Sequence, residues 1–406
     1  MPGAVLWQGK NMKHPKHHSS HFLLLAAPGL CFAAEQAALA ATSNAPAFVV
    51  KTAYNGLIYR EQGVLPGETG YFRLDVSRNG GFTGKLLIGK QPAGFSGRFN
   101  QEGTAYVPVK VGTGEYELIL NSDLSADYRE IKKLKWTLIL QLTNGLDEVA
   151  GQILSYDRSG WSGNVLGERA GYSASAHPAP QAGSYTVVLP GDPDAQSGPA
   201  GYGWGALTVD KAGNVRLQGS LADNSKVTAR AVLSAAGAWP LFVPSDGGRG
   251  MLVGWLEFTN AAGSELAGQL IWVRLRHPGV RFYAEGFTNQ ISVLASRYVR
   301  PASHQPVLNL ANGILVLGKG ELGSSFTNSL ALRSPTELRG AGGSRVMFNF
   351  SLSSGLFLGR AEVPGTTLTL GFRGAVLQNR NVGFGYFISD LGNGEVIIEE
   401  QPLGAL

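Results

Sequence analysis

Residues 136–154 contain the stretch that decides the fold: Trp136-Thr-Leu-Ile-Leu-Gln-Leu-Thr-Asn-Gly145, followed by Glu148-Val-Ala-Gly-Gln-Ile-Leu154. Apolar residues recur at every second position from Trp136 to Leu142. This period places one set of side chains on a core and the other in water, as in antiparallel sheets. The Asn-Gly pair favours a tight turn because both residues tolerate positive φ. The stretch therefore predicts an antiparallel hairpin with one buried face.

The same alternation recurs along the chain, for example over residues 72–77, 215–221 and 348–352. Further Asn-Gly pairs, at Asn55, Asn79, Asn312 and Asn393, predict turns between strands. Helical spacing of Leu124, Tyr128, Ile131 and Leu134 leaves one short helix open. We predict an all-β chain of antiparallel meanders that form two or three tandem small barrels or sandwiches. The alternation itself does not separate barrel from sandwich.

The deciding stretch has a second copy. Leu140-Gln-Leu-Thr-Asn144 matches Leu256-Glu-Phe-Thr-Asn260, and Glu148-Val-Ala-Gly-Gln-Ile-Leu154 matches Glu265-Leu-Ala-Gly-Gln-Leu-Ile271. These matches predict two related β units, over residues 48–174 and 180–281. A third unit is predicted over residues 307–400, where Gly371-Phe-Arg-Gly374 echoes Gly94-Phe-Ser-Gly97. Residues 282–306 are predicted to form the linker before it, because the run over residues 298–306 contains two prolines that favour an extended connector.

Four motifs resemble a known but uncharacterised family. They are Pro178-Ala-Pro-Gln-Ala-Gly-Ser-Tyr185, Gly250-Met-Leu-Val-Gly-Trp-Leu256, Gly286-Phe-Thr-Asn289 and Gly374-Ala-Val-Leu-Gln378. The family is a Gly-rich all-β repeat segment of large exported proteins in Verrucomicrobiota-type bacteria, and the resemblance covers most of residues 50–400. It implies an exported β protein. It implies no chemistry and assigns no catalytic or ligand residue.

The first 40 residues are typical of a secretory signal peptide. Lys10, Lys13 and Lys16 precede an apolar run over residues 22–34, and small residues at 38–40 form an Ala-x-Ala exit. The alternative is a hydrophobic tail without a sorting role. Cys31 is the only cysteine. The mature chain would therefore lack thiol chemistry and disulfides, and we expect an extracellular or cell-surface location.

Composition and charge narrow the function classes. The chain has 56 Gly among 406 residues, about twice the usual share, which suits short strands and tight turns. A net charge of +5 gives no footprint of nucleic-acid binding, which needs a clustered basic face. Lys132, Lys133 and Lys135 form the densest basic run and are interpreted as solvated.

Residues that could serve in catalysis, metal binding or sugar binding occur only as isolated candidates. Carboxylate pairs that could cleave glycosides are Glu115 with Glu117 and Asp123 with Asp127. Asp192, Asp194 and Gln196 could form a weak calcium loop, and Trp161 and Trp204 could stack sugars. His177, His277 and His304 lie scattered in connectors. We predict no catalytic residue, no cofactor and no metal site.

The sequence therefore favours an exported, non-enzymatic β-repeat protein, a surface-structural, adhesive or matrix-binding module. Its expected partner is a glycan or the cell-surface matrix, with no nucleic acid and no stable membrane span after signal cleavage. The alternatives are a carboxylate-based enzyme acting on extracellular polysaccharide and an outer-membrane β-barrel.

We expect the precursor to be cleaved near Ala40, because a signal peptidase recognises small residues after a short apolar run. N-terminal sequencing of the protein from its native host should give a mature start close to residue 41. Recovery of cytoplasmic protein that still begins at Met1 or Met12 would contradict the export signal.

Overall fold

The computed structural model describes residues 51–401 except 121–125, 144–146, 158, 193–197, 260–262, 321, 323, 342–344 and 391. For residues 113–120 and 126–131 it describes the backbone alone. The predicted signal peptide and Cys31 lie outside the described residues. The described chain forms three consecutive antiparallel meanders, which confirms the prediction of an all-β chain; of the predicted barrels or sandwiches, the structure has barrel-like folds, one closed and one nearly closed.

The first meander is an eight-stranded sheet in which each strand pairs with the next, except β4 with β5, and β8 returns to β1. Its strands are β1 (Thr52–Arg60), β2 (Gly70–Val76), β3 (Gly81–Ile88), β4 (Gln91–Arg98), β5 (Thr104–Leu120), β6 (Ala126–Thr143), β7 (Glu148–Ser155) and β8 (Ser162–Arg169). The β8–β1 ladder almost closes the sheet into a barrel. Residues 126–134, where a short helix was left open, belong to strand β6.

The second meander repeats this order, but two of its strands are interrupted, and it divides into two five-stranded sheets. Its strands are β9 (Gly183–Leu189), β10 (Gly203–Val209), β11 (Asn214–Ser220), β12 (Lys226–Val232), β13 (Ala238–Ser245), β14 (Gly250–Phe258), β15 (Leu266–Ala267), β16 (Gln269–Arg274), β17 (Phe287–Ser292) and β18 (Leu294–Arg297). One residue separates β15 from β16 and β17 from β18. The last strand, β18, pairs with β9, whereas no ladder joins β12 to β13. Strands β17 and β18 fall within residues 282–306, where the sequence predicts a linker.

The third meander is a closed barrel in which every strand pairs with the next and β26 pairs with β19. Its strands are β19 (Gly313–Gly318), β20 (Phe326–Ser334), β21 (Glu337–Gly340), β22 (Val346–Phe350), β23 (Leu356–Glu362), β24 (Thr369–Leu377), β25 (Val382–Ser389) and β26 (Gly392–Glu400).

Proline marks the place where the first two meanders stay open. The fifth strand of the first carries Pro108, and the fifth strand of the second carries Pro240 and Pro244. Proline lacks the amide hydrogen that a ladder needs, so within sheets it is confined to edge strands and strand ends. In the closed barrel the corresponding strands, β22 and β23, contain no proline. Proline is thus present in the fifth strand of each meander that stays open and absent from that of the closed barrel.

Two of the predicted Asn-Gly turns are wrong. Asn55-Gly56 lies inside β1 and Asn393-Gly394 lies inside β26. A Cβ on Gly56 would lie 2.0 Å from the Leu166 carbonyl oxygen of β8, so glycine is needed for close strand approach. The buried Asn55 amide donates to the Val232 carbonyl at 3.1 Å and accepts from the Val232 N–H at 2.7 Å. Asn79-Gly80, in contrast, forms the predicted turn between β2 and β3.

The duplicated blocks occupy similar hairpin positions. A Cβ on Gly151 would lie 1.9 Å from the carbonyl oxygen of Ile139, and one on Gly268 would lie 2.4 Å from that of Trp255. In both blocks the glycine thus faces the backbone just before the matched leucine, Leu140 or Leu256. Asn144 and Asn260 lie outside the described residues. The duplication itself stays a prediction.

The repeated Gly-Phe-x-Gly motif forms a reciprocal cross-strand pattern. Phe82 pairs with Gly97 and Gly84 with Phe95 across β3 and β4. In the third barrel Phe357 pairs with Gly374, and Gly359 with Phe372, across β23 and β24. Each phenylalanine ring covers the glycine opposite, so that a Cβ on the glycine would lie 2.2–2.7 Å from the ring. These rings shield backbone that glycine leaves bare.

Apolar contacts hold each meander together and join it to the next. Each meander has its own buried cluster, built around Trp136, Trp239 or Phe348. A smaller cluster packs the first two meanders together through Leu57 and Phe242. Another packs the second against the third, with Val188 against Leu377. Outer walls of neighbouring meanders are thus buried against each other.

Gly374→Ala should destabilise the third barrel by about 3 kcal/mol, because the new methyl group would overpack the ladder. It would lie 2.1 Å from the Phe384 carbonyl oxygen and 2.4 Å from the Phe357 ring. Gly371→Ala is the matched control in the same strand, since no atom lies within 4 Å of its Cβ position. Thermal unfolding of both variants measures the difference, and equal melting temperatures would contradict the packing described.

We expect the melting temperature to be unchanged by EDTA or by reductant. The three buried clusters can supply the stabilisation, at about 25 cal/mol per Å² of apolar surface buried. Differential scanning calorimetry of the mature chain with and without each reagent provides the measurement. A fall of several degrees in EDTA would instead indicate a bound cation, and Asp192 and Asp194 would be the first residues to substitute.

Candidate functional site

Neither Trp161 nor Trp204 is an exposed stacking platform. Trp161 is only 5% exposed and lies in the core of the first meander. Trp204 is half-buried and packs between the second and third meanders. The interpretation of these two residues as open sugar platforms is therefore wrong. Gly and Ser neighbours in the sequence do not reveal that Trp161 enters its own core or that a second sheet covers Trp204.

The predicted acidic candidates remain largely undescribed. Asp123, Asp194 and Gln196 lie outside the described residues, and only the backbone of Glu115, Glu117 and Asp127 is described. Asp192 is buried, and its backbone N–H donates to the Pro199 carbonyl at 2.8 Å. Within the described part of the chain, no group of three or more His, Cys, Asp or Glu side chains could hold a metal ion. No helix of that part is long and apolar enough to cross a bilayer.

One charged cluster lies where connections of the second meander converge. The Arg274 guanidinium lies 3.7 Å from the Asp223 carboxylate and 3.4 Å from that of Asp246. His277 Nδ1 lies 3.1 Å from the same Asp246 carboxylate. Burial raises the pKa of Asp223. Arg274 lies between carboxylates of the β11–β12 and β13–β14 connections. We therefore interpret this cluster as a structural one that holds the two connections together.

The third barrel borders the same cluster. The Tyr386 hydroxyl lies 2.8 Å from Ser220 Oγ and 3.1 Å from Asn224 Oδ1, on either side of the chain that carries Asp223. Arg281 also reaches the third barrel, where its guanidinium lies 2.8 Å from the Asp390 carboxylate. The charged cluster therefore lies beside the junction of two barrels, which fits a structural role.

A groove lined by charged side chains lies on the outer wall of the third barrel. It has a volume of about 370 Å³, and we call it the arginine groove. Four arginines line it, Arg333, Arg339, Arg345 and Arg360, together with Gly340, Val346, Met347, Glu362 and Thr369. All four arginine side chains are exposed.

Strand alternation places these arginines on one wall. Val346, Phe348 and Phe350 point into the barrel, so Met347 between them faces outward and is 42% exposed. The register pairs Met347 with Arg339 on one side and with Arg360 on the other. These residues form a row across three strands, and two strand spacings separate the arginine backbones by about 10 Å. Two guanidinium groups therefore flank an exposed methionine.

The groove carries more positive than negative charge. Arg339 pairs with Glu337 at 2.6 Å and Arg345 with Glu362 at 3.1 Å. Arg333 and Arg360 make no ion pair with any described residue. A guanidinium presents a planar fork of donors that fits a carboxylate, sulfate or phosphate group. The wall beside Arg360 is open, since no atom lies within 4 Å of a Cβ at Gly371. The arrangement can therefore hold anionic groups of an extended ligand.

Reasoning from the sequence missed this groove. Its arginines are spaced irregularly over residues 333–360, without a basic run. The available signal is that Arg339 and Arg360 each lie next to an inward apolar position, Leu338 and Ala361, and so face outward. Only the register, however, shows that these outward positions share one row.

Comparisons with known proteins give no family. No family model matches the chain, and no curated protein does. Among solved structures, the chain shows similarity to transferrin binding protein B from Haemophilus parasuis Hp5, with 9% identity over 86% of this chain and 75% of that one, at a TM-score of 0.19. The isotype 1 transferrin binding protein B of serogroup B Neisseria meningitidis gives 9% identity, 86% and 76% coverage, and a TM-score of 0.18. The endo-1,5-alpha-L-arabinanase of Thermotoga petrophila RKU-1 is 10% identical over 83% of this chain and 82% of that one, at a TM-score of 0.19. TM-scores this low do not establish a shared fold.

Proposed function

We propose that the protein is an exported surface or matrix-binding module that acts by binding an acidic glycan, without catalysis. The observation that carries the proposal is the arginine groove, in which Arg333 and Arg360 have no ion pair with any described residue beside the paired Arg339 and Arg345. An arginine without a carboxylate partner is available to an anionic ligand.

The chemistry of the groove fits an acidic polysaccharide. Uronic acids and sulfated sugars present carboxylate or sulfate groups on a hydrated chain, and an open groove on a barrel wall gives them access. Met347 provides an apolar floor against which a sugar ring can pack. Glu337 and Glu362 lie close to the paired arginines, and they would repel anions presented in the wrong register. Export, predicted from residues 1–40, would bring the groove to such polymers, in keeping with the exported proteins that the sequence resembles.

The double variant Arg333→Ala/Arg360→Ala should bind an acidic polysaccharide at least about tenfold more weakly than the wild type. Hydrogen bonds to charged groups contribute about 1.5–3 kcal/mol each, and about 1.4 kcal/mol corresponds to tenfold. Affinity electrophoresis in gels that contain polygalacturonate, dextran sulfate or neutral dextran measures the effect. We expect the wild type to be retarded by one or both acidic polymers and not by neutral dextran.

The matched control is Arg216→Ala/Arg230→Ala. These exposed arginines pair across β11 and β12 on the second meander, so their loss removes the same charge elsewhere. Unchanged retardation of this control would assign binding to the arginine groove. If both double variants lose retardation equally, binding depends only on the net charge of the protein, and the arginine groove is not the site. Failure of the wild type to bind either acidic polymer would overturn the proposed ligand, and cleavage of a polymer would overturn the absence of catalysis.

A further inference from the structure

A second groove lies at the other end of β21. It has a volume of about 520 Å³, and we call it the turn groove. One side is the segment before the third barrel, residues 300–305, and the other is the β20–β21 turn, residues 334–336, with Leu352 beside it. Its lining contains the cation Arg300, the titratable His304 and no carboxylate.

The turn groove is rich in hydrogen-bond donors. Arg300 is exposed and makes no ion pair with a described residue. Ser334 Oγ lies 3.3 Å from Thr336 Oγ1, and Ser303 Oγ lies 2.9 Å from His304 Nδ1. His304 has a φ of 65°, in the left-handed region, and lies in a turn. Hydroxyl and guanidinium donors of this kind suit sugar hydroxyls and carboxylates.

The two grooves adjoin at the end of strand β20. Arg333 lines the arginine groove, and the next residue, Ser334, lines the turn groove. Strand β21, residues Glu337–Gly340, runs from the turn groove at Thr336 to the arginine groove at Gly340. Its length is about 13 Å at the rise of an antiparallel strand. A flexible ligand several sugars long can span that distance.

Resting on the proposed function, we infer that the ligand is a linear anionic polymer that crosses the β20–β21 turn and occupies both grooves together. Arg333 and Arg360 would hold its acidic groups at one end, and Arg300 would hold them at the other. Binding of the second segment is then intramolecular, so its local concentration is high and the overall affinity exceeds that of either groove alone. A short oligomer would occupy the arginine groove only.

Binding of oligogalacturonates of graded length, from the dimer to the dodecamer, tests the inference. The measurements are made by calorimetry on the mature chain at fixed salt concentration, because charge contacts are screened by salt. Arg300→Ala should weaken binding of the long oligomers about tenfold and leave the affinity for the shortest binding oligomer unchanged. Arg300→Lys, which keeps the charge, should recover part of the loss. Arg333→Ala/Arg360→Ala should weaken binding at every length.

The outcomes separate this inference from the proposed function. If Arg300→Ala binds long oligomers as tightly as the wild type, the ligand is confined to the arginine groove and the inference is wrong, although the proposed function stands. Equal loss at all lengths would also overturn it, because the turn groove would then not be a separate subsite. If Arg333→Ala/Arg360→Ala binds normally, the proposed function itself fails. His304→Ala provides a second probe of the turn groove should Arg300→Ala lower the melting temperature.

Discussion

The backbone ladder between the last and the first strand of each meander is the interaction on which the rest depends. Strands β8, β18 and β26 pair with β1, β9 and β19, which brings residues more than a hundred positions apart into register in the first two meanders. Because each of these ladders joins the last strand to the first, the sheet bends around, and its apolar side chains face one another inside it. Without the ladder, the inward faces of the middle strands would have no opposite wall to pack against, and the outward faces would have no fixed spacing.

Closure also decides how the outer walls are used. The walls that carry Leu57 and Phe242 are buried between the first and second meanders, and those that carry Val188 and Leu377 are buried between the second and third. The outward face that carries Arg339, Met347 and Arg360 contributes no residue to either cluster and is left for solvent. It is there that Arg339, Met347 and Arg360 lie in one row. The candidate site therefore lies on a wall that is not used for packing between meanders.

The sequence predicts the strands well because alternation is a local property. The pattern around Trp136 and Leu140 is sufficient to identify β6 and its buried face. Local signals fail where a neighbour in space decides. Asn55-Gly56 has the composition of a turn, yet the close approach of β8 and the hydrogen bonds to Val232 keep it in a strand. Trp204 has flexible neighbours in the sequence, yet the third barrel covers it. The arginine groove depends on the register of four strands, which no local pattern contains.

The reciprocal Phe–Gly pairs have a consequence for how these hairpins can change over generations. Gly84 can gain a side chain only if Phe95 becomes smaller, and Gly97 only if Phe82 does, because each ring fills the space that the glycine opposite leaves. Each directly opposite Phe–Gly pair of the hairpin is thus coupled, and a substitution at one position alone meets either a clash or an uncovered backbone. We expect the two positions of a pair to change together, with phenylalanine and glycine exchanging strands. The pair would then still contain one ring and one glycine.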